Sequence, residues 1–151
     1  MSRRAAATAE VPLDPEAAVE LWIDLRRWPS FMEGFARLVS ESGGWPAKGS
    51  KAVWESGPGG RGMVTEKVTQ RSARSFAARV VEERLVGVQS FRAEPAESGS
   101  RVEVALDYEL TSPSPLRGLT DMLFIRRALR DSLARTLRRY AVEADDDAGL
   151  R

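Results

Sequence analysis

Between residues 36 and 110 apolar and polar positions alternate with a period near two, while the segments on either side repeat near 3.6. Gly43-Gly44-Trp45-Pro46, Gly57-Pro58-Gly59-Gly60, Ser72-Ala73-Arg74, a short break near Leu85 and Glu97-Ser98-Gly99-Ser100 divide the alternating stretch. The runs left between them, at about 36–42, 50–56, 62–70, 75–83, 86–94 and 101–110, read as six strands. Links this short hold no crossover helix, so the strands must be antiparallel. In the last run Val102, Val104, Leu106, Tyr108 and Leu110 share one face and Arg101, Glu103, Asp107 and Glu109 the other, as in a sheet with one wet side.

Ahead of this meander, Ala7 to Val11 reads as a short strand closed by Pro12. Asp14-Pro15-Glu16 then combines an N-cap, a proline at the first helical position and an acid at the positive end of the dipole, which predicts a helix over 14–25. Trp28-Pro29 interrupts it, and 30–34 reads as a second short helical turn. Beyond the meander a long helix is expected over 116–143, with Leu119, Met122, Ile125, Leu129, Leu133, Leu137 and Tyr140 in one stripe. Residues 1–4 are expected to be disordered and 144–151 to form a frayed acidic tail, leaving one domain at 5–143.

Composition narrows the chemistry. The 151 residues include neither histidine nor cysteine, which excludes thiol and Ser-His nucleophiles, a zinc site on His or Cys, axial haem ligation by those residues and disulfides. No metal site and no cofactor are expected. With 42% apolar and 30% charged residues the chain suits one globular core, able to bury about 70% of its extended surface. A net charge of +1 gives no overall case for nucleic acid as a partner. No run is apolar enough for stable membrane insertion and no signal-like apolar segment opens the chain, so a cytoplasmic protein is expected. The Arg and Ala bias suggests a GC-rich bacterial genome.

The order of a strand, two short helices, a six-strand meander and a long C-terminal helix resembles the helix-grip fold of the START and Bet v 1-like superfamily. Within it, the likeness is to bacterial polyketide cyclase/dehydrase-like and lipid-binding proteins. The similar residues are Val11 to Trp22, Leu25-Arg26-Arg27-Trp28-Pro29-Ser30-Phe31, Gly99 to Val102 leading into Leu106 to Leu110, and Leu133 to Leu137. This resemblance implies an α+β fold, a curved antiparallel sheet of about seven strands wrapped around the long C-terminal helix, with two short helices after the first strand. It also implies a ligand cavity between sheet and helix. It transfers no catalytic motif.

Alternation nominates the residues that face such a cavity. Glu66 shares a face with Val64 and Val68, and Arg126 projects close to the apolar stripe of the long helix, so one reading pairs their charges at the cavity, while the other has Arg126 reaching the rim and Glu66 facing water after a bulge. Trp54, Phe76 and Tyr108 are expected to point inward, the face that Gln89 shares with Gly87 and Phe91 is undecided, and Met122 lies on the stripe; these six are the candidate ligand-binding residues, with simple core packing as the other reading of the aromatics. In an enzyme, Glu66 would move a proton while Tyr108 or Arg126 steadied an enolate. The Gly-rich segment 57–62 lacks the Gly-Lys-Ser/Thr of a phosphate loop and reads as a hairpin turn at the cavity lip. Arginines 126, 127, 130, 135, 138 and 139 read first as a solvated helix face, with nucleic acid or anionic membrane contact as alternatives. The preferred function is binding or transport of a small hydrophobic or aromatic ligand by a monomer or homodimer. The alternatives are a cofactor-independent polyketide aromatase/cyclase or dehydratase, and a protein-interaction or chaperone-like module.

Overall fold

The alternating stretch folds as a curved antiparallel sheet whose seven strands run in the order β1-β7-β6-β5-β4-β3-β2. They are β1 (Arg3–Val11), β2 (Phe35–Ser42), β3 (Lys51–Ser56), β4 (Met63–Arg71), β5 (Ser75–Val81), β6 (Leu85–Ala96) and β7 (Gly99–Leu110). The computed structural model describes residues 3–111 and 119–151, with side chains described from residue 122 onward in the second stretch. The segment 116–118, expected to begin the long helix, lies outside the described residues. Among the described residues three helices complete the α+β helix-grip fold: α1 (Pro15–Ile23), α2 (Trp28–Phe31) and α3 (Leu119–Gly149), with a 3₁₀ turn at Leu25–Arg27 between the first two.

Local chemistry explains the helix starts. The Asp14 carboxylate accepts the Ala17 N–H at 2.8 Å and Pro15 occupies the first turn. Asp24 accepts the Arg26 N–H at 3.1 Å and so opens the 3₁₀ turn. Trp28-Pro29, expected to break the helix, instead begins α2, because proline is tolerated in a first turn where its missing N–H is not needed.

Near both ends the described residues lie in regular elements that local composition does not suggest. Arg3 and Arg4 belong to β1, opposite Tyr108 and Asp107, and the Arg4 guanidinium donates to Asp107 at 2.9 Å. Residues 3 and 4, within the segment expected to be disordered, pair with a strand distant in sequence. Residues 144–149, expected to fray, continue α3. Arg27 holds them, donating to Glu143 at 2.7 Å and to Asp147 at 3.1 Å.

The core is aromatic and lies toward α1, α2 and the C-terminal half of α3. Phe91 stacks on Trp22 with centroids 4.7 Å apart, and Tyr140 meets Trp22, Phe31 and Phe91 edge-on. Such contacts add about 0.5–1.5 kcal/mol each beyond buried area. The Tyr140 hydroxyl donates to the Ala18 carbonyl at 2.5 Å, and the Trp28 indole donates to the Trp22 carbonyl at 2.8 Å, so neither polar atom is left unpaired. Along α3 the burial is uneven. Leu133, Leu137, Tyr140 and Ala144 are buried, whereas Met122, Ile125 and Leu129 on the same stripe are only half-buried.

Candidate functional site

Strand register arranges the inner face in transverse rows. Glu66 on β4 pairs with Val80 on β5, Val80 with Gly87 on β6, and Gly87 with Tyr108 on β7. One row deeper come Val68, Ala78, Gln89 and Leu106. The next row toward the closed end holds Phe76, Phe91 and Val104. In the first row only Val80 and Gly87 stand between the polar Glu66 and Tyr108, the second row has Gln89 as its one polar member, and the third begins the aromatic core. Gly87 is required here, since a Cβ on it would stand 2.3 Å from the Asp107 carbonyl oxygen.

Glu66 is 4% exposed and accepts the Trp54 indole N–H at 2.7 Å. Burial pushes its carboxyl above the ordinary range; the Trp54 hydrogen bond and the Arg61 charge oppose this, and Glu82 adds to it. The pairing with Arg126 does not form, and Glu66 does not face water either. Arg126 is exposed and its Nε donates to the Arg4 carbonyl at 3.2 Å, which leaves Trp54 as the partner of the buried acid. Trp54 also packs on Phe35 with centroids 5.4 Å apart and carries the Arg61 guanidinium 5.3 Å above its ring. It is a wall that orients Glu66.

Tyr108 is 1% exposed, and among the described residues its hydroxyl is the only buried side-chain polar atom without a hydrogen-bond partner. Burial raises its ionisation range, partly offset by the charges of Arg3 and Arg126. Gln89 is buried on the same face. Phe91 and Phe76 point inward but are spent on packing, the first against Trp22 and Tyr140, the second against Trp45 at 5.6 Å. Met122 is half-buried at the helix, with its sulfur 3.2 Å from an Arg3 guanidinium nitrogen.

At the end of the sheet beyond Glu66 and Tyr108 the grip is open. A pocket of about 800 Å³ lies between the N-terminal half of α3, represented by Phe124, Ile125 and Leu129, and the strand ends at Leu85 and Leu110. Arg61 and Glu82 form an ion pair in its wall. Ser56 fixes the loop that carries Arg61, since its hydroxyl accepts the Gly62 N–H at 2.8 Å and its own N–H donates to the Gly62 carbonyl at 2.9 Å. Leu110 and Glu82 are each two residues from the polar row, on the same strand faces as Tyr108 and Val80. The ion pair escaped sequence reading because it joins two turns, although the inward register of Glu82 follows from that of Val80.

The three residues nominated for catalysis are not clustered. Glu66 and Tyr108 are three strands apart in one row, so their backbones are separated by about 14 Å at strand spacing, and Arg126 lies outside on the helix. One reacting atom cannot touch all three. Neither Glu66 nor Tyr108 lines the open pocket, whose nearest strand residues, Leu110 and Glu82, lie two positions beyond the row.

The family described as Polyketide cyclase / dehydrase and lipid transport matches residues 2–145. The chain belongs to this family. No curated protein sequence matches it. Among solved structures it is similar to the di-domain aromatase/cyclase of the steffimycin biosynthetic pathway, with a TM-score of 0.78 and 14% identity over 99% of this chain. The chain spans 52% of that larger protein. A Streptomyces aromatase/cyclase gives a TM-score of 0.71 at 14% identity, covering 100% of this chain and 97% of that one. A START superfamily protein from Mycobacterium smegmatis gives 0.69 at 14% identity, covering 93% and 97% respectively. These likenesses establish the shared fold. No described helix is long and apolar enough to cross a membrane.

Proposed function

We propose that the protein binds and carries a small, elongated hydrophobic ligand with a polar group at its inner end. The ligand lies across the Glu66–Tyr108 row and exits beside Phe124 and Leu129. The observation that carries this reading is the unpaired hydroxyl of Tyr108. A buried hydroxyl without a partner costs about 1–3 kcal/mol, and a ligand carbonyl or hydroxyl would remove that cost. Between Glu66 and Tyr108 the row holds only Val80 and Gly87, whose small side chains favour occupancy over solid packing. The open pocket of about 800 Å³ falls within the size range of small-molecule sites.

Native mass spectrometry of protein purified without detergent tests the reading. A stoichiometric apolar adduct is expected, and its retention should fall in Tyr108→Phe. If the wild-type protein carries no adduct and binds no hydrophobic fluorophore, the carrier reading fails.

A second reading, cyclisation or dehydration of a polyketide, is favoured by one observation: Glu66 is a buried carboxyl held toward its protonated form, suited to moving a proton. The aromatase/cyclases of like fold are consistent with it. Turnover of a poly-β-ketone analogue that disappears in Glu66→Gln, with folding intact, would establish this reading over simple carriage.

A further inference from the structure

The N-terminal half of α3 presents a face that the interior does not use. Leu123 is 56% exposed and Phe124 72% exposed, and among the described residues they lie directly beside Arg126, Arg127 and Arg130. With 100° per residue, Leu123, Arg127 and Arg130 fall on one stripe, with Arg126 and Phe124 flanking it. The same residues line a separate open groove of about 670 Å³ between α3 and β1, whose other wall is Arg4, Ala5 and Ala6.

Charge balance distinguishes this part of the helix from its other end. Arg135 is ion-paired to Glu33, and Glu143 and Asp147 are paired to Arg27. Among the described residues, no acidic partner neutralises Arg126, Arg127 or Arg130. An unmatched cationic cluster favours an anionic surface. Two protruding apolar side chains within that cluster favour a surface that has an apolar layer beneath its charges.

We propose that this face docks the protein on an anionic phospholipid bilayer. Leu123 and Phe124 enter the headgroup boundary while Arg126, Arg127 and Arg130 meet lipid phosphates, and the chain remains at the surface without spanning it. Phe124 also stands at the mouth of the other pocket. Docking therefore sets that mouth against the acyl region, where an apolar molecule can move without crossing water. The docking itself does not depend on the carrier reading, since the face lies outside the polar row.

Co-sedimentation of the full chain with vesicles of phosphatidylcholine mixed with phosphatidylglycerol, and of phosphatidylcholine alone, tests the proposal. Binding to the mixed vesicles, little binding to the neutral ones and release by added salt are expected. Leu123→Ser combined with Phe124→Ser should weaken partitioning about ten-fold or more. Arg127→Gln combined with Arg130→Gln should weaken it about 30-fold. Circular dichroism and melting of both variants should match the wild type, because all four side chains are exposed. The proposal is overturned if the wild type ignores mixed vesicles. It is equally overturned if the arginine variant loses binding while the Leu123/Phe124 variant keeps it, the pattern of a purely electrostatic partner such as an acidic protein or a nucleic acid. Adduct retention in native mass spectrometry reports on the carrier reading separately.

Discussion

The two ends of the grip are built on the same alternating strands and the same helix, yet they solve different problems. At the closed end Trp22, Phe31, Phe91 and Tyr140 interlock, and the buried polar atoms of Tyr140 and Trp28 find backbone carbonyls. At the open end the helix stripe is half-buried, only Val80 and Gly87 stand between Glu66 and Tyr108, and the hydroxyl of Tyr108 and the acid of Glu66 sit in the interior. The closed end maximises contact and polar satisfaction, which is what stability requires. The open end accepts unsatisfied or desolvated groups, and such groups are characteristic of places where something else binds. Helix burial alone separates the two: the same stripe is tight from Leu133 onward and loose before it.

Mutations should expose that division. The largest effect belongs to the closed end: Phe91→Ala should destabilise by about 3–5 kcal/mol in urea denaturation, since it empties the stack on Trp22. A loss under 1 kcal/mol would mean that the closed end is not the stability centre.

Next in size is Glu66→Gln. Burial holds the folded carboxyl above its ordinary range, so the folded protein keeps a proton that the unfolded chain has released. Wild-type stability should therefore fall as pH rises from about 4.3, the unfolded value, through the folded one, and then level off. Denaturation midpoints measured across that range should show the glutamine variant gaining on the wild type as pH increases. A gap that is constant with pH would show that Glu66 is not held protonated.

Tyr108→Phe should raise the stability of the unliganded protein by about 1 kcal/mol, because it removes an unpaired buried hydroxyl. The same change should weaken ligand retention, so the sign of the effect at the open end opposes that at the closed end. Smallest is Arg27→Ala, which breaks half-buried pairs to Glu143 and Asp147 and should cost about 0.5–1 kcal/mol. Faster amide exchange confined to residues 143–149 would accompany it.

Much of this contrast is written in local pattern. Alternation placed Glu66, Trp54 and Tyr108 on the inner face, and the 3.6-residue stripe identified the packed side of α3. Partners were not legible in the same way. Trp54 rather than Arg126 meets Glu66 because strand register, set by the β3–β4 hairpin, brings Trp54 within hydrogen-bonding reach, while Arg126 lies on the far side of the helix toward β1. Phe76 and Phe91 read in sequence as ligand contacts or as core, and nothing local reveals that Trp45 and Trp22 pack on them. The same limit applies to the ends of the chain. Arg3, Arg4 and Asp147 are ordered by partners far away in sequence, which no window of neighbouring residues contains.

The pairing of β1 with β7 also has a temporal consequence. During synthesis the first strand must wait, its edge hydrogen bonds unmet, until the residues opposite Arg3 and Val11, Tyr108 and Ser100, have left the ribosome. Closing so long a loop late slows folding, and the unpaired strand is where misassembly between copies would begin.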